Sequence, residues 1–303
     1  MSKIVIIGSI SMDLVMETDR IAEAGETVFG KQFSMVPGGK GANQAVAIGR
    51  LSSKDDHIEM LGAVGQDQFG PSLLENLNQN QVISVHVGTI PYSTGVAQIT
   101  LYDDDNRIIY CPGANGEVDA SHFDSEWDII KSADLVVLQN EISHSSNLAV
   151  AQFCHQNGVK VLYNPAPSRD TDIDMLDFVD VFTPNEHEVK ELFPNQEIED
   201  VIKHYPNKLL VTLGTKGSIF FDGKEIQKVP AIKAEVVDTT GAGDTFNGAF
   251  GYAFSKGMAF KDAVGFGTLA SHLSVQGFGA QGGMPYLNEM KESGYYEETW
   301  AVE

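Results

Sequence analysis

Three stretches of the chain carry side chains whose types and spacing could do chemistry. The sharpest is Asp238-Thr-Thr-Gly-Ala-Gly-Asp244, followed by the apolar-periodic run TFNGAFGYAFSKG. Glycines at 241 and 243 let a backbone approach a ligand closely, and bare N–H groups at a helix start make an anion site. Asp244 falls in the first turn of the helix the pattern predicts, where the helix dipole favours a carboxylate. A positioned carboxylate beside an anion site suits proton removal during transfer of an anionic group. The same residues equally suit a plain turn into a helix, because Gly and Asp are common there. The second stretch is Pro37-Gly-Gly-Lys-Gly-Ala-Asn43-Gln, which also runs into a helix. It offers one cation and an amide to a phosphate or a polyhydroxylated ligand, and a simple loop-to-helix turn accounts for it equally well. P-loop spacing is absent, since no Ser or Thr follows Lys40. The third is a pair of polar clusters that end apolar runs, Gln139-Asn140-Glu141 and Thr183-Pro-Asn185-Glu-His-Glu188, with Asp13 shortly after the first run. Acidic residues at such places are more often solvated surface.

The elements that must position these residues follow from periodicity. Strand-like runs occupy Ile4–Ile7, Ile58–Leu61, Leu135–Leu138, Val159–Tyr163, Phe178–Phe182 and Leu209–Leu213, with a strand-like approach at Ala234–Val237 before the 238–244 motif. Helix-like segments lie between them at Ala42–Leu51, Pro71–Gln79, Ser145–Asn157, Asn185–Phe193 and Ile198–His204. Near-continuous Val/Ile/Leu strands separated by helices predict an α/β fold with a doubly wound, mostly parallel sheet flanked by helices. Ligands of such folds sit beyond the carboxyl ends of the strands, where the polar clusters fall. Two segments, Leu14–Phe33 and Val96–Tyr110, alternate with period 2 instead, and the second has a hairpin turn over Asp103–Asn106. They predict a small extra sheet formed by insertions at about residues 12–37 and 91–114, able to cover a site or meet a partner subunit. With no repeat or proline-rich linker, residues 1–303 read as one domain.

Charge and composition exclude several classes. Acidic residues number 42 against 20 basic, for a net charge of −22. A field of that sign repels nucleic acid and anionic lipid, so neither is an expected partner. A polyanionic ligand would have to be neutralised locally by helix N-termini, a few lysines and metal ions. Cys111 and Cys154 offer no disulfide framework, and with no signal or membrane-spanning run the expected location is the cytoplasm. The nearest string to a zinc-hydrolase HExxH is His187-Glu-Val-Lys-Glu191, which lacks the second His, and no G-x-S-x-G elbow occurs. Gly8-Ser-Ile-Ser-Met-Asp13 is not a dinucleotide fingerprint.

Taken together, PGGKGANQA, NPAP at Asn164–Pro167, TPNEHE at Thr183–Glu188, VTLGTKG at Val211–Gly217 and DTTGAGDTFNGA at Asp238–Ala249 resemble the ribokinase-type carbohydrate kinase family, in the family's order. The resemblance runs from Ile4 to about Pro285. It implies ATP-dependent phosphorylation of the primary 5-hydroxyl of D-ribose, with Mg²⁺ and an activating K⁺. Kinases for deoxyribose, fructose or a nucleoside are its enzyme alternatives, and a sugar or nucleotide sensor on the same fold is the non-enzyme one. Position by position it makes Asp244 the base and the amides of Gly241, Ala242 and Gly243 the anion hole. Ser11, Asp13, Gly39, Lys40, Asn43 and Glu141 become sugar contacts, with Ser11 standing where the family usually has Asn. ATP contacts become Asn185, Thr212, Gly214, Thr215, Gly217, Gly243 and Thr268. Glu188 is linked to magnesium, and Asp238, Thr240, Ser274, Gly277, Gly279 and Gly283 surround potassium. The small sheet becomes a lid that also pairs subunits into a homodimer.

Overall fold

The computed structural model describes residues 1–103 and 105–300. Its first half lays down β1 (Lys3–Ile7), β2 (Ser11–Thr18), β3 (Gly30–Gly38), α1 (Lys40–Leu51), β4 (His57–Gly65), α2 (Phe69–Gln79), β5 (Val87–Ile90), β6 (Gly95–Tyr102), β7 (Asp105–Cys111), α3 (Trp127–Lys131) and β8 (Leu135–Gln139). The second half adds α4 (His144–Asn157), β9 (Lys160–Asn164), β10 (Val181–Phe182), α5 (Glu186–Leu192), α6 (Ile198–Lys203), β11 (Leu210–Thr212), β12 (Ser218–Phe221), β13 (Ile226–Val229), α7 (Ala242–Ser255), α8 (Phe260–Ser274) and α9 (Leu287–Glu292).

Six parallel strands form the central sheet in the order β10-β9-β8-β1-β4-β5. Its apolar runs lack polar alternation because both faces are covered. Ile4, Ile6, Met60, Leu135 and Val137 pack on one side with Ala45, Ile48, Phe250 and Leu269 of the helices. Val5, Ile7, Leu61, Val136 and Leu138 pack on the other with Val150, Ala151 and Cys154 of α4. Each fully buried aliphatic side chain contributes about 1.5–3 kcal/mol, so the two layers supply most of the driving force. Both faces of the sheet lean on helices, as a doubly wound topology requires.

The second, four-stranded sheet runs β3-β2-β6-β7. Its two hairpins join through a parallel β2–β6 pair, with Ser11 opposite Gly95, so it is not antiparallel throughout. Val15, Ala97 and Ile99 form a separate small core on one face. The hairpin turn expected over Asp103–Asn106 includes Asp104, which lies outside the described residues; the flanking strands pair Tyr102 with Asp105.

Several elements differ from their sequence expectation. Ala234–Val237 is not a strand: the ladder ends at β13, and Val236 and Val237 are exposed, with no neighbouring strand among the described residues to pair them. Only Val181–Phe182 of the run 178–182 is a strand, because residues Asp170–Asp177 coil into a 3-10 helix that Phe178 caps. The alternation at Leu14–Phe33 covers the tail of β2, a loop and the head of β3. Strands β5, β12 and β13 are too short to stand out as periodic runs.

Candidate functional site

Helix α7 is preceded by its N-cap Gly241, whose φ of 76° lies in the left-handed region. A Cβ on that residue would stand 2.4 Å from the Ala280 carbonyl oxygen, so both conformation and space demand glycine. Asp244 therefore falls in the first helical turn, where it is buried. Its carboxylate is held from α1 by two neighbouring amides. Asn43 Nδ2 donates to Oδ2 at 2.9 Å and Gln44 Nε2 donates to Oδ1 at 3.1 Å. Gln44 is itself fixed, accepting from Gln139 Nε2 at 2.8 Å and donating to Asn164 Oδ1 at 3.2 Å. A carboxylate clamped at both oxygens is oriented in advance and keeps further lone pairs for a substrate hydroxyl.

Helix α1 is placed by the same kind of close approach. Gly39, at φ 89°, packs on the β1–β2 connection, where a Cβ would meet Ser11 N and Ser9 O at 2.9 Å. Ala42 N donates to Ser9 O at 2.9 Å. Glu141, just past β8, accepts from Ser9 Oγ at 2.6 Å and from Lys40 N at 2.9 Å, which ties the end of that strand to the helix start. Ser11 receives Asn115 Nδ2 at 3.1 Å, and the same amide reaches Ile10 O and the Tyr110 hydroxyl. The shorter Ser11 is thus supplied with an amide donor from elsewhere in the chain.

Two cavities meet here. The larger, about 590 Å³, is lined by Asn185, Thr212, Gly214, Thr215, Gly217, Ala242, Gly243 and Thr268 among others. All seven expected nucleotide positions therefore share one cavity, and Ala231–Ala234, Phe246 and Val275 are among the wall residues that the sequence reading missed. The smaller, about 140 Å³, is lined by Lys40, Asn164, Asn185, Glu188, Gly241, Gly243, Asp244 and Asn247 among others. Asn185, Thr212 and Gly243 belong to both. Of the expected sugar contacts, Lys40 and Asp244 line the smaller cavity, while Ser11, Asp13, Gly39, Asn43 and Glu141 do not. Asn43 is joined to it by the bond to Asp244, Glu141 by the bond from Lys40 N, and Asp13 through charge.

That charge is dense. Burial first, then the charges of Glu141 and Asp244, push the Asp13 carboxyl up to about 7, against the Lys40 cation. The Asp244 charge, ahead of Glu141, Glu188 and Asp13, holds the Lys40 ammonium above its ordinary range despite burial. Burial likewise pushes Glu188 up to about 7. Asn185 and Glu188 cap α5 reciprocally: Asn185 N donates to Glu188 Oε2 at 2.7 Å, and Asn185 Oδ1 accepts from Glu188 N at 2.9 Å. The N-x-x-E element thus has a structural duty as well as a cavity-facing one.

The six expected cation positions lie in one knot behind the helix start. Asp238 accepts from Thr240 N and Gly279 N, each at 2.9 Å. A Cβ on Gly283 would stand 1.9 Å from Ser274 O, and one on Gly277 would stand 2.5 Å from the Gly283 Cα. The Asp238 carboxylate is a hard oxygen ligand of the kind that suits an alkali or alkaline-earth cation, and backbone amides hold both of its oxygens. Among the described residues no group of three or more His, Cys, Asp and Glu converges on one point. Magnesium shared with phosphates and water needs only one or two protein carboxylates, and Glu188 is available for that.

Besides Asn164 and Asn247 of the smaller cavity, Gln44, Asn115 and Gln281 are polar residues around the site that the sequence reading left out. Gln44 directly follows Asn43, and two amides in tandem at a helix start were a usable signal. Asn115 and Gln281 act on residues over one hundred and over two hundred positions away, and nothing local marks them.

Comparison with known proteins gives the family and the fold. Residues 1–287 match the model of the pfkB family carbohydrate kinases. The ribokinase of Lactococcus lactis is 60% identical over 291 residues, covering 96% of each chain. That of Bacillus subtilis is 41% identical over 96% of this chain and 99% of its own. Arabidopsis thaliana ribokinase, solved with ribose and ATP, superposes with a TM-score of 0.88 at 32% identity, covering 98% of this chain and 99% of its own.

Proposed function

The chain belongs to the pfkB family of carbohydrate kinases, and on that premise we propose that it transfers the terminal phosphoryl group of ATP to the 5-hydroxyl of D-ribose, with Asp244 as the base. The observation that carries this reading is the shared wall at Gly243, where the larger cavity meets the one holding the clamped Asp244 carboxylate. ATP in the larger cavity would lay its phosphates against the start of α7, and a sugar alcohol beside Asp244 would face them. Asp244 takes the hydroxyl proton as that oxygen bonds to the γ-phosphorus; the bond from the γ-phosphorus to the bridging oxygen breaks, and ADP leaves with the electron pair. Little covalent help is needed, so alignment and neutralisation dominate. The amides of residues 241–243 would stabilise the equatorial oxygens, and Lys40 supplies a fixed cation. Mg²⁺ beside Glu188 and Asn185 would offset phosphate charge, and K⁺ at the Asp238 knot would stiffen the loop under the anion hole.

The four-stranded sheet supports two further roles. It borders Ser11 and Asp13, so its movement would admit the sugar and then shut out water, which competes as acceptor. The face opposite its small core exposes Phe33 and Met35 of β3 and Ile109 of β7. Such an apolar patch marks a contact surface, here a second copy of the chain in a cytoplasmic homodimer.

The test is ADP release in a coupled assay with ribose, deoxyribose, fructose and a nucleoside, for the wild type and Asp244→Asn. Ribose should give the highest kcat/KM, and Asp244→Asn should lose about two to four decades of kcat while binding ATP normally. Near-normal turnover by that variant sinks the assignment of the base.

A further inference from the structure

The base is held by Asn43, and Asn43 is held in turn from outside both cavities. Gln281 lies in the loop between α8 and α9, is buried, and lines neither cavity. Its Nε2 donates to Asn43 Oδ1 at 2.9 Å, and its Oε1 accepts from Asn76 Nδ2 of α2 at 2.8 Å. The direction of every amide in this chain follows from its last member. Asp244, as a carboxylate, only accepts, so Asn43 must turn its NH₂ toward it and its oxygen away. That oxygen needs a donor, so Gln281 must present its NH₂, which leaves its own oxygen to Asn76.

The loop backbone is equally fixed. Arg50, at the end of α1, donates through Nη1 to the carbonyls of Gln281 and Met284, each at 2.7 Å. Three consecutive loop residues therefore bear on three motif residues. Gly279 N meets Asp238, Ala280 packs on Gly241, and Gln281 reaches Asp244 through Asn43.

We propose that Gln281 is a positioning residue for the phosphoryl-transfer step: its amide anchors the Asn43 side chain in the place from which its NH₂ donates to Asp244, and so transmits the setting of the loop to the base. This rests on Asp244 being the base. Losing the lock leaves the Asn43 oxygen without its donor, so the Asn43 side chain can leave this rotamer, draw its NH₂ off Asp244 and let the carboxylate swing away from the sugar hydroxyl.

Gln281→Met tests it, since methionine keeps the volume and adds no charge beside Lys40, Asp13, Glu141 and Glu188, the charged groups around Asp244. Asn76→Leu, Asp244→Asn and the wild type go through the same ADP-release assay with melting curves. Loss of a hydrogen bond to a charged group is worth roughly tenfold or more, so kcat of Gln281→Met should fall about tenfold with KM for ATP unchanged. Asn76→Leu, one bond further out, should lower kcat about threefold, again without an effect on that KM. If Gln281→Met does not fold, the Asn76→Leu result decides alone. Wild-type kcat in the folded variants alongside an inactive Asp244→Asn overturns the relay and spares the base. A full-turnover Asp244→Asn overturns both. A rise in KM for ATP that matches the fall in kcat also overturns the relay, because it reports a disturbed nucleotide cavity rather than a misplaced base.

Discussion

Replacing each of the two glycines at the start of α7 with alanine separates conformational need from space for the ligand. Gly241 sits at φ 76°, and an added Cβ would lie 2.4 Å from Ala280 O and 2.8 Å from Ala280 Cα, both backbone atoms that cannot step aside cheaply. The left-handed conformation alone costs a non-glycine residue about 1–3 kcal/mol, and the contact adds to it. Gly243 is different: nothing lies within 4 Å of its added Cβ, and it lines both cavities. Gly243→Ala should therefore fold with an unchanged melting temperature, while its methyl stands where phosphates are expected. Gly241→Ala should melt lower by about 2 °C or more per kcal/mol lost, the scale for chains of about this size. Removal of one anion-hole donor costs about 10²–10³ in kcat, and tilting the 241–243 amides should cost Gly241→Ala a comparable factor. Gly243→Ala should instead raise KM for ATP at least tenfold, for want of room. The assay is coupled ADP release with ATP and sugar varied in turn, beside differential scanning calorimetry. Equal melting losses for both variants would refute the packing argument. A Gly243→Ala enzyme with wild-type KM for ATP would refute the placement of the phosphates.

Two other perturbations bear on charge and assembly. Asp13 and Glu188 both titrate near 7 when folded, against about 4 in an unfolded chain, so the folded state keeps protons that the unfolded state has lost between those values. Stability contributed by these two groups is thus full below about pH 4 and falls by a few kcal/mol as pH rises to 7. The ligand-free enzyme should melt several degrees lower at pH 8 than at pH 5.5, with a shallower slope in Asp13→Asn; a flat or rising profile would disprove the shifts. Phe33→Lys on the exposed side of the four-stranded sheet should convert a dimer to monomers in sedimentation velocity, and a monomeric wild type would remove the dimer proposal.

The sequence determined the parts that depend on neighbours along the chain. Its continuous Val/Ile/Leu runs imply a sheet buried on both faces, because only full burial makes polar alternation unnecessary, and β1, β4, β8 and β9 lie where those runs lie. Asp244 in a first helical turn was legible because Gly241, three residues before it, and Gly243, one before it, announce the start of α7. Shorter pieces were not legible. Ala234–Val237 has strand composition but no partner to pair with, and strand formation depends on a partner as much as on propensity. Only the tertiary structure decided what holds the Asp244 carboxylate. Gln44, Asn43, Gln281 and Asn76 come from α1, the 276–284 loop and α2, and a hydrogen bond at 2.9 Å depends on where those elements pack rather than on how far apart they are in sequence. Amides carry no charge and little periodic signal, so their role appears only once the fold has brought them to the carboxylate.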